Sequence, residues 1–416
     1  MKPNELIAKI ENSELDKSFK KVYVSDSAVE EQKPRYIRTI KEFINLFGDD
    51  RDVFVLSAPG RTEVCGNHTD HNNGKVLAAS INLDAIAIAA KRDDMKINEK
   101  SEGHGLNEVD ISTLSPDEAE YGRSSSMIKG VAAGLKEKGY EIGGFDACTT
   151  SDVMGGSGLS SSAAFEVLIA TVINHLYNDG KIDAVTVAKA AQFSENVYFG
   201  KPSGLLDQMA SSVGTFVTID FKDTANPVIK KVDFDFAKSG YSLCIVDTHG
   251  NHSDLTDDYA AVRGEMEAVA KAMGKNVLRE VEYEEFFQSL DVLKEKVNDR
   301  ALLRAFHFFG ENERVDKAVS SLENNDFDSF KQAITESGYS SFLYNQNVYS
   351  PKNPTEQKLS LALCISEKLL NGKGAWRVHG GGLQALFRRL FQMICLMHIK
   401  KQLIVYLATA HATCLL

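Results

Sequence analysis

A glycine- and serine-rich segment at residues 152–164, DVMGGSGLSSSAA, decides the fold that we expect for this chain. A short strand over 145–151 runs into it, and an apolar helix over 163–176 follows it. The closely spaced glycines can turn several N–H groups towards one point, because glycine tolerates positive φ. With the positive end of the following helix, these groups form an anion site for a polyphosphate, and the serine hydroxyls can hold phosphate oxygens or a magnesium ion.

Two alternatives bear on this segment. No lysine follows the glycines, so it is not the G-x-x-x-x-G-K-[ST] phosphate loop. Taken alone, it could also be a glycine and serine turn that caps a helix. Two further segments favour the binding site.

Composition bounds the class of protein. A chain of 416 residues, 43% hydrophobic and 25% charged, predicts two globular domains with helical insertions. A net charge of −11 argues against a nucleic-acid or anionic-membrane partner. The six cysteines are far apart, without a C-x-x-C pair, which indicates reduced thiols in a cytoplasmic protein. The N-terminus carries no signal-peptide core, and we expect no membrane span before Gly382.

The second informative segment is residues 58–74, APGRTEVCGNHTDHNNG. We expect a loop here, between strands at 53–57 and 76–90, after helices over 4–50. A simple turn seldom contains arginine, asparagine, histidine and aspartate together. Arg61 offers a planar cationic fork for phosphate, and Asp70 can accept hydrogen bonds from vicinal hydroxyls.

The third segment is residues 194–209, SENVYFGKPSGLLDQM. Glu195 is expected to end one helix and Asp207 to open the next. Asp207 by itself could be a helix N-cap, and that alternative stays open here. Later regions are expected to form the elements that follow: strands at 215–221 and 241–247, helices over 281–372, and a strand at 374–379 before the glycine turn 380–382. His249 and His252 have no third ligand in place and are read as loop residues.

Together, and in this order, the segments resemble the GHMP small-molecule kinases and, within them, the galactokinase family. Residues 60–72 resemble the signature G-R-x-N-x-I-G-E-H-T-D-Y-N, and 154–163 resemble P-x-G-x-G-L-S-S-S-A. Residues 194–208 are similar to A-E-N…G-x-x-D-Q, and 377–382 to the start of the C-terminal glycine motif. The matches span residues 55 to 382.

The resemblance implies an α+β GHMP kinase fold with two lobes, between which ATP and the sugar meet. The N-terminal lobe would resemble domain 2 of ribosomal protein S5 and contain a left-handed βαβ crossover, and the C-terminal lobe would be ferredoxin-like. The expected divisions are a helical segment at 1–50, the N-terminal lobe at 51–225, the C-terminal lobe with a helical insertion at 226–382, and a separate tail at 383–416.

The resemblance also implies roles for single residues. Asp207 would accept or orient the proton of the sugar C1 hydroxyl, while Arg61 would keep Asp207 ionised and stabilise the transferring phosphoryl group. The residues implied to wrap the ATP phosphates are Gly156, Ser157, Gly158, Leu159, Ser160, Ser161 and Ser162. Those implied to hold Mg2+ are Ser162 and Glu195. Those implied to contact the sugar are Asn67, His68, Thr69, Asp70 and Tyr259.

Two departures from the family within the sugar signature bear on the choice of substrate. Asn67 replaces the usual glutamate, and His71 replaces the usual tyrosine. Asn67 can still accept a hydrogen bond but lacks the charge, so the sugar contact should weaken. Galactose is the first choice of substrate, with another hexose or an amino sugar as the alternative.

The family pattern stops at residue 383. Residues 383–416 contain no Gly, Pro, Asp or Glu, and basic residues interrupt the apolar run too often for a comfortable membrane span. Deleting one T from a coding sequence for the family continuation F-A-G-T-I-Q-A-F-V-P-N-D gives L-Q-A-L-F-R-R-L-F-Q-M-I, which is residues 383–394. We therefore interpret 383–416 as an out-of-frame tail. The alternatives are a genuine hydrophobic C-terminus and a membrane anchor.

The resemblance thus implies an ATP-dependent sugar kinase of this family that uses Mg2+ and acts on the C1 hydroxyl of galactose. A GHMP kinase for another small alcohol is the nearest alternative. A non-catalytic sensor of sugar and nucleotide, or an inactive protein with a damaged C-terminus, belongs to another class. The presence of Arg61, Ser162, Glu195 and Asp207 together favours catalysis.

Overall fold

The chain divides into two compact units in a computed structural model. The first unit comprises residues 1–61 and 80–214, and the second comprises 62–79 and 215–416. The structure describes residues 1–153, 159–201, 203–248, 256–380, 386–392 and 412–415. Only the backbone is described at 237, 247, 256, 257, 259, 386–392 and 412–415.

Helices of the first unit occupy its N-terminal part and the region after residue 123. They are α1 Pro3–Glu11, α2 Asp16–Tyr23, α3 Asp26–Phe47, α4 Ser124–Glu137, α5 Ser161–Tyr177, α6 Ala184–Phe193 and α7 Leu206–Val213. A π-helical turn, Ser194–Tyr198, continues α6. The side chain of Ser25 begins α3 by accepting the N–H of Ala28 at 3.2 Å, and Gly48 ends it with φ +82°.

Strands of the first unit form a mixed sheet. They are β1 Phe54–Cys65 and β2 Lys75–Lys91, both of which continue into the second unit, and β3 Lys96–Ser101, β4 Leu106–Asp110 and β5 Phe145–Ser151. The order is β4-β3-β5-β2, and β1 pairs with β2. β5 is antiparallel to β2 and parallel to β3. The handedness of the crossover between β3 and β5 stays a prediction.

The core of the N-terminal helices lies against β2 and β5. Apolar side chains at helical spacing on α3 meet alternating apolar residues of the strands. The buried members of this cluster include Ile10, Tyr36, Ile40, Phe43, Ile86, Ile88 and Cys148. Helices over 4–50 and 163–176 and the strand at 145–151 are confirmed.

The sugar signature does not begin in a loop, as its polar composition suggests. β1 runs from Phe54 to Cys65, so Arg61 lies on a strand. Burial alternates along β1, with the side chains at 58, 60, 62 and 64 buried and those between them half-buried. This two-residue period is the mark of a strand with one buried face, and it outweighs the presence of Pro59 and Gly60.

The second unit combines strands with a large helical region. Its helices are α8 Thr256–Ala272, α9 Tyr283–Gln288, α10 Leu290–Leu293, α11 Asp299–Glu323, α12 Phe327–Ser340 and α13 Lys358–Leu370. Its strands are β6 Phe216–Asp220, β7 Val228–Val232, β8 Tyr241–Asp247, β9 Gly374–Val378, β10 Leu386–Gln392 and β11 Ala412–Leu415. Residues 75–79 of β2 pair with β6, which pairs with β7. The other sheet is antiparallel in the order β11-β8-β10-β9.

The expected strands at 215–221, 241–247 and 374–379 and the helical region at 281–372 are confirmed to within one or two residues at their ends. Strands β3, β4 and β7 were not predicted. Each is short and rich in charged residues, as is common for strands with one solvent-facing side.

The tail contributes two of the strands. β10 pairs with β8 and β9, and β11 pairs with β8. Backbone ladders form with almost any side chain except proline, so this pairing does not test the reading frame. The out-of-frame interpretation of residues 383–416 therefore stays a prediction, and positions 381–385, 393–411 and 416 lie outside the described residues.

Membrane spans and cysteine thiols were also considered in the described residues. No helix among these residues combines the length and the apolar character that crossing a bilayer requires. Cys65, Cys148, Cys244 and Cys364 are free thiols, and the first three are buried. The pKa of the Cys65 thiol is raised because the group is buried, which keeps it protonated and unreactive.

Candidate active site

Arg61 and Asp207, which the sequence assigns to catalysis, form a bidentate ion pair in the first unit. Arg61 on β1 donates from Nε to Asp207 Oδ1 and from Nη2 to Oδ2, both at 2.6 Å. The hydroxyl of Ser160 also donates to Oδ2. Burial acts to raise the pKa of Asp207, but the charge and hydrogen bonds of Arg61 outweigh it, so the pKa lies below its usual value. The carboxylate is therefore held ionised.

The position of Asp207 settles the alternative that it is a helix cap. α7 begins at Leu206, Leu205 occupies the N-cap position, and no side chain caps this helix. Asp207 lies within the first turn, where the helix dipole also favours a negative charge. Its hydrogen-bonding capacity is directed to Arg61 and Ser160.

Ser162 and Glu195, the predicted metal ligands, lie in contact. Ser162 near the start of α5 donates to Glu195 Oε1 at 3.1 Å, and Glu195 lies in the π-helical turn after α6. Lys201 donates to the same oxygen at 2.7 Å, and Gln208 donates to Oε2 at 2.8 Å. Local π-helical turns often occur at functional sites because they redirect a side chain.

The donors around Glu195 fit a magnesium ion. Oxygen ligands suit this hard cation, which usually takes only one or two protein carboxylates together with water and substrate phosphates. Two buried oxygens near it, Glu166 Oε1 and Gln208 Oε1, have no partner among the described residues. Within the described residues, no three or more side chains of His, Cys, Asp and Glu are grouped so that they could hold a metal ion. A cation bound at Glu195 would therefore need further ligands from the substrate.

The expected nucleotide loop is described only at its two ends. Gly156, Ser157 and Gly158 lie outside the described residues. On the C-terminal side, Leu159 is buried and its carbonyl oxygen accepts the N–H of Arg61 at 3.1 Å. Ser160 adopts φ +60°, and Ser161 begins α5. A left-handed residue immediately before the helix is compatible with an anion-binding turn.

A cavity of about 370 Å³ adjoins both ends of this loop in the first unit. Val153 and Ser161 line it on the side of the loop, and its other polar lining comes from β3, β5 and the turn after β3. These lining residues are Ser101, Glu102, His104, Thr149, Thr150 and Ser151. The cavity is large enough for part of a nucleotide and polar enough to hydrogen-bond one.

The N-terminal end of the loop is anchored by α3. The backbone N–H of Asp152 donates to the carbonyl oxygen of Asp84 at 2.9 Å. Gln32 donates to Asp152 Oδ2 at 3.0 Å, and Arg35 lies at 3.0 Å from the same oxygen. Arg35 also bonds Asp84 through Nη1 at 2.7 Å and the carbonyl oxygen of Thr150 through Nη2 at 3.0 Å. The N-terminal helices thus hold the entrance to the loop.

The rest of the sugar signature lies in the second unit. Gly66 turns the chain with φ +99°, and a Cβ atom there would lie 2.5 Å from the carbonyl oxygen of Lys75. His68 is left-handed, with φ +58°, and the 3-10 turn Asp70–Asn72 follows. Thr69 is buried and donates to the carbonyl oxygen of Lys75 at 2.6 Å. Only glycine fits the close approach at position 66.

Among the predicted sugar contacts, His68 and Asp70 are half-buried and thus partly accessible. Tyr259 lies on α8, but its side chain is not among those described. His71, at the family tyrosine position, is in ring contact with His68 at 5.7 Å between centroids. Burial, followed by the charge of His68, lowers the pKa of His71 well below its usual value, so this imidazole is neutral.

Asn67 is fully buried, and its side-chain amide is occupied by the protein. Nδ2 donates to Glu63 Oε1 at 3.0 Å and to the carbonyl oxygen of Gly380 at 2.6 Å. Oδ1 accepts from Ser341 at 3.3 Å and from Asn347 at 2.8 Å. An amide has two N–H groups and two lone pairs, so these bonds fill its capacity. A contact between Asn67 and a sugar would require one of them to break, and that role stays a prediction.

The charge that the family signature carries at position 67 is found at position 63 in this chain. The signature has asparagine and glutamate at these two positions, and here their order is exchanged. Glu63 Oε1 accepts from Arg377 Nη2 at 2.7 Å, and Arg377 is completely buried. The exchange therefore keeps one carboxylate and one amide in contact, and gives the carboxylate to a buried cation.

Several supporting residues carry no motif and were missed. They are Arg35, Asp84, Lys201, Gln208, His307, Glu311 and Glu63, which pairs with Arg377. For most of them no local pattern marks the role, because a charged residue on an amphipathic helix usually faces solvent. Glu63 could have been found from the sequence, because Glu63 and Asn67 stand where the signature has asparagine and glutamate.

Comparisons with known proteins agree with these features. Residues 41–91 match the galactokinase galactose-binding signature, and residues 126–215 match the N-terminal domain of GHMP kinases. A galactokinase of Streptomyces coelicolor is 32% identical over 344 residues, which cover 82% of this chain and 85% of that protein. A galactokinase of Clostridium tetani is 33% identical over 310 residues, covering 72% and 76%.

Solved structures give the same assignment. The crystal structure of Lactococcus lactis galactokinase complexed with galactose has a TM-score of 0.76 and 25% identity, over 90% of this chain and 96% of that one. Methanococcus jannaschii mevalonate kinase has a TM-score of 0.61 at 14% identity, over 88% and 98%, which shows the fold alone. The expected GHMP kinase fold is confirmed, and the chain belongs to the galactokinase family of GHMP kinases.

Proposed function

We propose that this chain transfers the γ-phosphoryl group of ATP to the C1 hydroxyl of galactose, which gives galactose 1-phosphate and ADP. Its family makes it an ATP-dependent sugar kinase, a phosphotransferase. The observation that supports the reaction most directly is the bidentate pair of Arg61 and Asp207, because it presents an ionised carboxylate beside a cation. Phosphoryl transfer depends on in-line positioning and charge neutralisation, and this pair serves both.

In the proposed step, the oxygen of the C1 hydroxyl attacks the γ-phosphorus, and its proton passes to a carboxylate oxygen of Asp207. The bond between the γ-phosphorus and the bridging oxygen breaks, and ADP leaves. Arg61 keeps Asp207 ionised before the transfer and balances negative charge on the phosphoryl oxygens during it. Ser160 donates to Asp207 and fixes the direction of its carboxylate.

We propose that Ser162 and Glu195 hold Mg2+ with the ATP phosphates, and that Lys201 and Gln208 orient Glu195. When bound, the ion would neutralise charge on the phosphates. Gly156 to Ser161 would wrap the phosphates, and the nucleoside would enter the cavity beside Val153 and Ser161. The sugar would be bound by His68, Asp70 and Tyr259, with Asn67 and Thr69 as structural members of the same segment.

Asn67 and His71 support a second candidate substrate. The family glutamate is absent from position 67, and the amide there is occupied, so a sugar hydroxyl that the family glutamate would bind loses its acceptor. Another hexose or an amino sugar is therefore the alternative substrate of the same reaction.

Several coarser expectations complete the proposal. We place the protein in the cytoplasm, because the four cysteine side chains that the structure describes are free thiols and three of them are buried. Its acidic surface favours neither nucleic acid nor anionic membranes as partners. We retain the division into a helical segment at 1–50, lobes at 51–225 and 226–382, and an out-of-frame tail at 383–416.

The test is phosphate transfer from Mg-ATP to galactose, glucose, mannose and galactosamine, followed by phosphorus NMR of the product. Galactose 1-phosphate is the expected product. Asp207→Asn should lower kcat by about 10² to 10⁴, the range of general base catalysis, with little change in ATP affinity. Asp93→Asn, a surface change, is the matched control.

A different outcome would replace the proposal. Phosphorylation of glucose, mannose or galactosamine in preference to galactose would make Asn67 the determinant of substrate choice. Binding of sugar and nucleotide by calorimetry, without any phosphate transfer, would favour the sensor. A version with the reading frame restored after Gly382, assayed in parallel, separates a damaged tail from an inactive site.

A further inference from the structure

α11 in the second unit has a buried polar face, although no motif was found between residues 281 and 372. Arg304, His307 and Glu311 follow one another at helical spacing and are 2%, 0% and 0% exposed. Charged groups are rarely buried unless each one is paired and hydrogen-bonded. The partners of this face are therefore informative.

Glu311 binds the backbone of the sugar signature. Its Oε1 accepts the N–H of Gly66 at 3.0 Å and the N–H of Asn67 at 3.2 Å. Ser337 donates to the same oxygen at 2.5 Å, and Arg314 donates to Oε2 at 2.7 Å. Successive N–H groups at a turn with positive φ form a concavity that suits an anion, and here a carboxylate of the protein fills it.

His307 binds the other side of the same residue. Its Nε2 lies 2.8 Å from the carbonyl oxygen of Asn67, and its Nδ1 lies 2.8 Å from the hydroxyl of Ser340. The carbonyl can only accept, so Nε2 carries the hydrogen and Nδ1 accepts from Ser340. Burial lowers the pKa of His307 to about 4, which keeps the ring neutral in this tautomer at physiological pH.

The backbone of Asn67 is thus fixed at its N–H by Glu311 and at its carbonyl by His307. The next residue, His68, is left-handed with φ +58°, a conformation that is strained for a residue other than glycine. Such a conformation persists only where the surroundings hold it. The two bonds from α11 lie on Asn67, the residue immediately before this left-handed position.

We propose that Glu311 and His307 are positioning residues for sugar binding: they hold the backbone at Gly66–Asn67 so that His68 and Asp70 are presented to the substrate. The inference rests on the proposed function, since it assumes that this segment binds the sugar. A purely structural role would instead affect the stability of the second unit and leave sugar affinity unchanged.

Glu311→Gln tests the anchor at the N–H groups. Glutamine keeps the shape but weakens the acceptor, so KM and the calorimetric Kd for galactose should rise tenfold or more, with KM for ATP within twofold. Glu265→Gln is the matched control, because Glu265 is a partly buried carboxylate of the same unit that pairs with Arg300 and Arg304 without a hydrogen bond to the signature. The control should lose stability but keep its KM for galactose within twofold.

His307→Gln and His307→Leu test the anchor at the carbonyl. The side-chain amide of glutamine reaches about as far as Nε2 and can donate to Asn67, whereas leucine cannot. His307→Leu should raise KM for galactose at least fivefold, and His307→Gln should restore most of the difference. A core role would make both variants equal in KM. This pair also decides the inference if Glu311→Gln does not fold.

The outcomes separate this inference from the proposed function. If wild-type protein phosphorylates galactose and all anchor variants keep its KM within twofold, Glu311 and His307 have a structural role only and the inference is overturned. If wild-type protein neither binds nor phosphorylates a sugar, the proposed function fails, and the inference falls with it. A selective rise in KM and Kd for galactose supports both.

Discussion

Arg35 in the first unit and Glu311 in the second each bind backbone groups at or beside a sequence motif, but they carry opposite charges. Arg35 donates to the carbonyl oxygens of Asp84 and Thr150 and pairs with Asp152, at the entrance to the nucleotide loop. Glu311 accepts the N–H groups of Gly66 and Asn67 in the sugar signature. Both side chains are at most 5% exposed.

The difference follows from which backbone groups each segment leaves without a partner. Arg35 meets carbonyl oxygens of Asp84, within β2, and of Thr150, near the end of β5, and arginine has only donors to offer. The turn after β1 leaves N–H groups that need an acceptor, and an ionised carboxylate has only acceptors. The comparison teaches that the charge of a buried supporting residue is set by the backbone that it holds, and not by the charge of the substrate.

The largest effect is expected from Arg35→Met, which removes the cation and keeps much of the volume. Asp84, 2% exposed, and Asp152 would lose their cationic partner, and breaking a buried pair in this way costs about 3–5 kcal/mol. Urea unfolding should show that loss, and KM for ATP should rise while KM for galactose stays within twofold.

Arg38→Met is the matched control for this prediction. Arg38 lies on the same helix and pairs with Glu102, but both side chains are more than half exposed. The expected loss is less than about 1 kcal/mol. An equal rise in both KM values for Arg35→Met would mean that Arg35 supports the fold in general and not the nucleotide loop.

The second effect concerns two buried carboxyls with opposite pKa shifts. Burial and then the charge of Glu195 raise the pKa of Glu166 from 4.5 to about 9, so this group is protonated at neutral pH. The pKa of Glu311 is lowered in spite of burial, mainly by the charge of Arg314. Glu166 has only Gln208 as a hydrogen-bond partner among the described side chains, and no cation bonded to it.

The folded-state pKa of Glu166 lies above its unfolded value. The contribution of this group to the free energy of unfolding is therefore fully present below pH 4.5 and is lost as pH rises towards 9. The free energy of unfolding of wild-type protein, relative to Glu166→Gln, should fall by up to about 1.4 kcal/mol per pH unit. The measurement is denaturant unfolding of both proteins between pH 5 and 8 in EDTA. Parallel curves would show that Glu166 does not titrate there.

The third effect concerns the exchanged pair Glu63 and Asn67. Glu63→Asn leaves the buried Arg377 without its carboxylate, and Asn67→Glu adds a second carboxylate beside Glu63. The double change returns the order of the family signature with one carboxylate, so it should be more stable than the sum of the singles by about 1–3 kcal/mol. A double-mutant cycle by urea unfolding measures this coupling, and strict additivity would contradict it.

The smallest effects are expected from removing single uncharged hydrogen-bond donors to the buried carboxylates of Asp84 and Glu311. Tyr23→Phe removes a 2.8 Å bond to Asp84, and Ser337→Ala removes the 2.5 Å bond to Glu311. Each should cost about 1–2 kcal/mol, because hydrogen bonds to charged groups exceed neutral ones. Tyr339→Phe, whose hydroxyl binds Glu367 at an exposed site, should cost much less. Equal losses in all three would remove the distinction between buried anchors and surface bonds.

Local patterns in the sequence predicted the elements around the motifs well. β5, α5, β8 and the N-terminal helices follow from apolar periodicity and glycine positions. The strand predicted at 53–57 is the first part of β1, but residues 58–65 were read as a loop because proline, glycine and charged residues hid the two-residue period. The alternation of buried and half-buried side chains from 58 to 64 became visible only in the structure.

The supporting contacts of the site were not accessible in the same way. Arg61 and Asp207, 146 residues apart, were paired only through the resemblance to a family. Arg35, His307 and Glu311 each lie on an amphipathic helix, where a charged residue looks the same whether it faces solvent or a buried turn. The backbone groups that these three side chains bind on β2, β5 and the sugar signature lie 49 to 245 residues away along the chain.

The sequence alone determined the order of the motifs and the residue types for phosphoryl transfer, because a glycine turn, a strand and the following helix are set by local backbone preferences. Only the tertiary structure decided that Asn67 is occupied by the protein and that Arg35 and Glu311 hold the two motifs. A buried charge is stable only with the partners that folding brings to it, and those partners come from segments far apart in sequence.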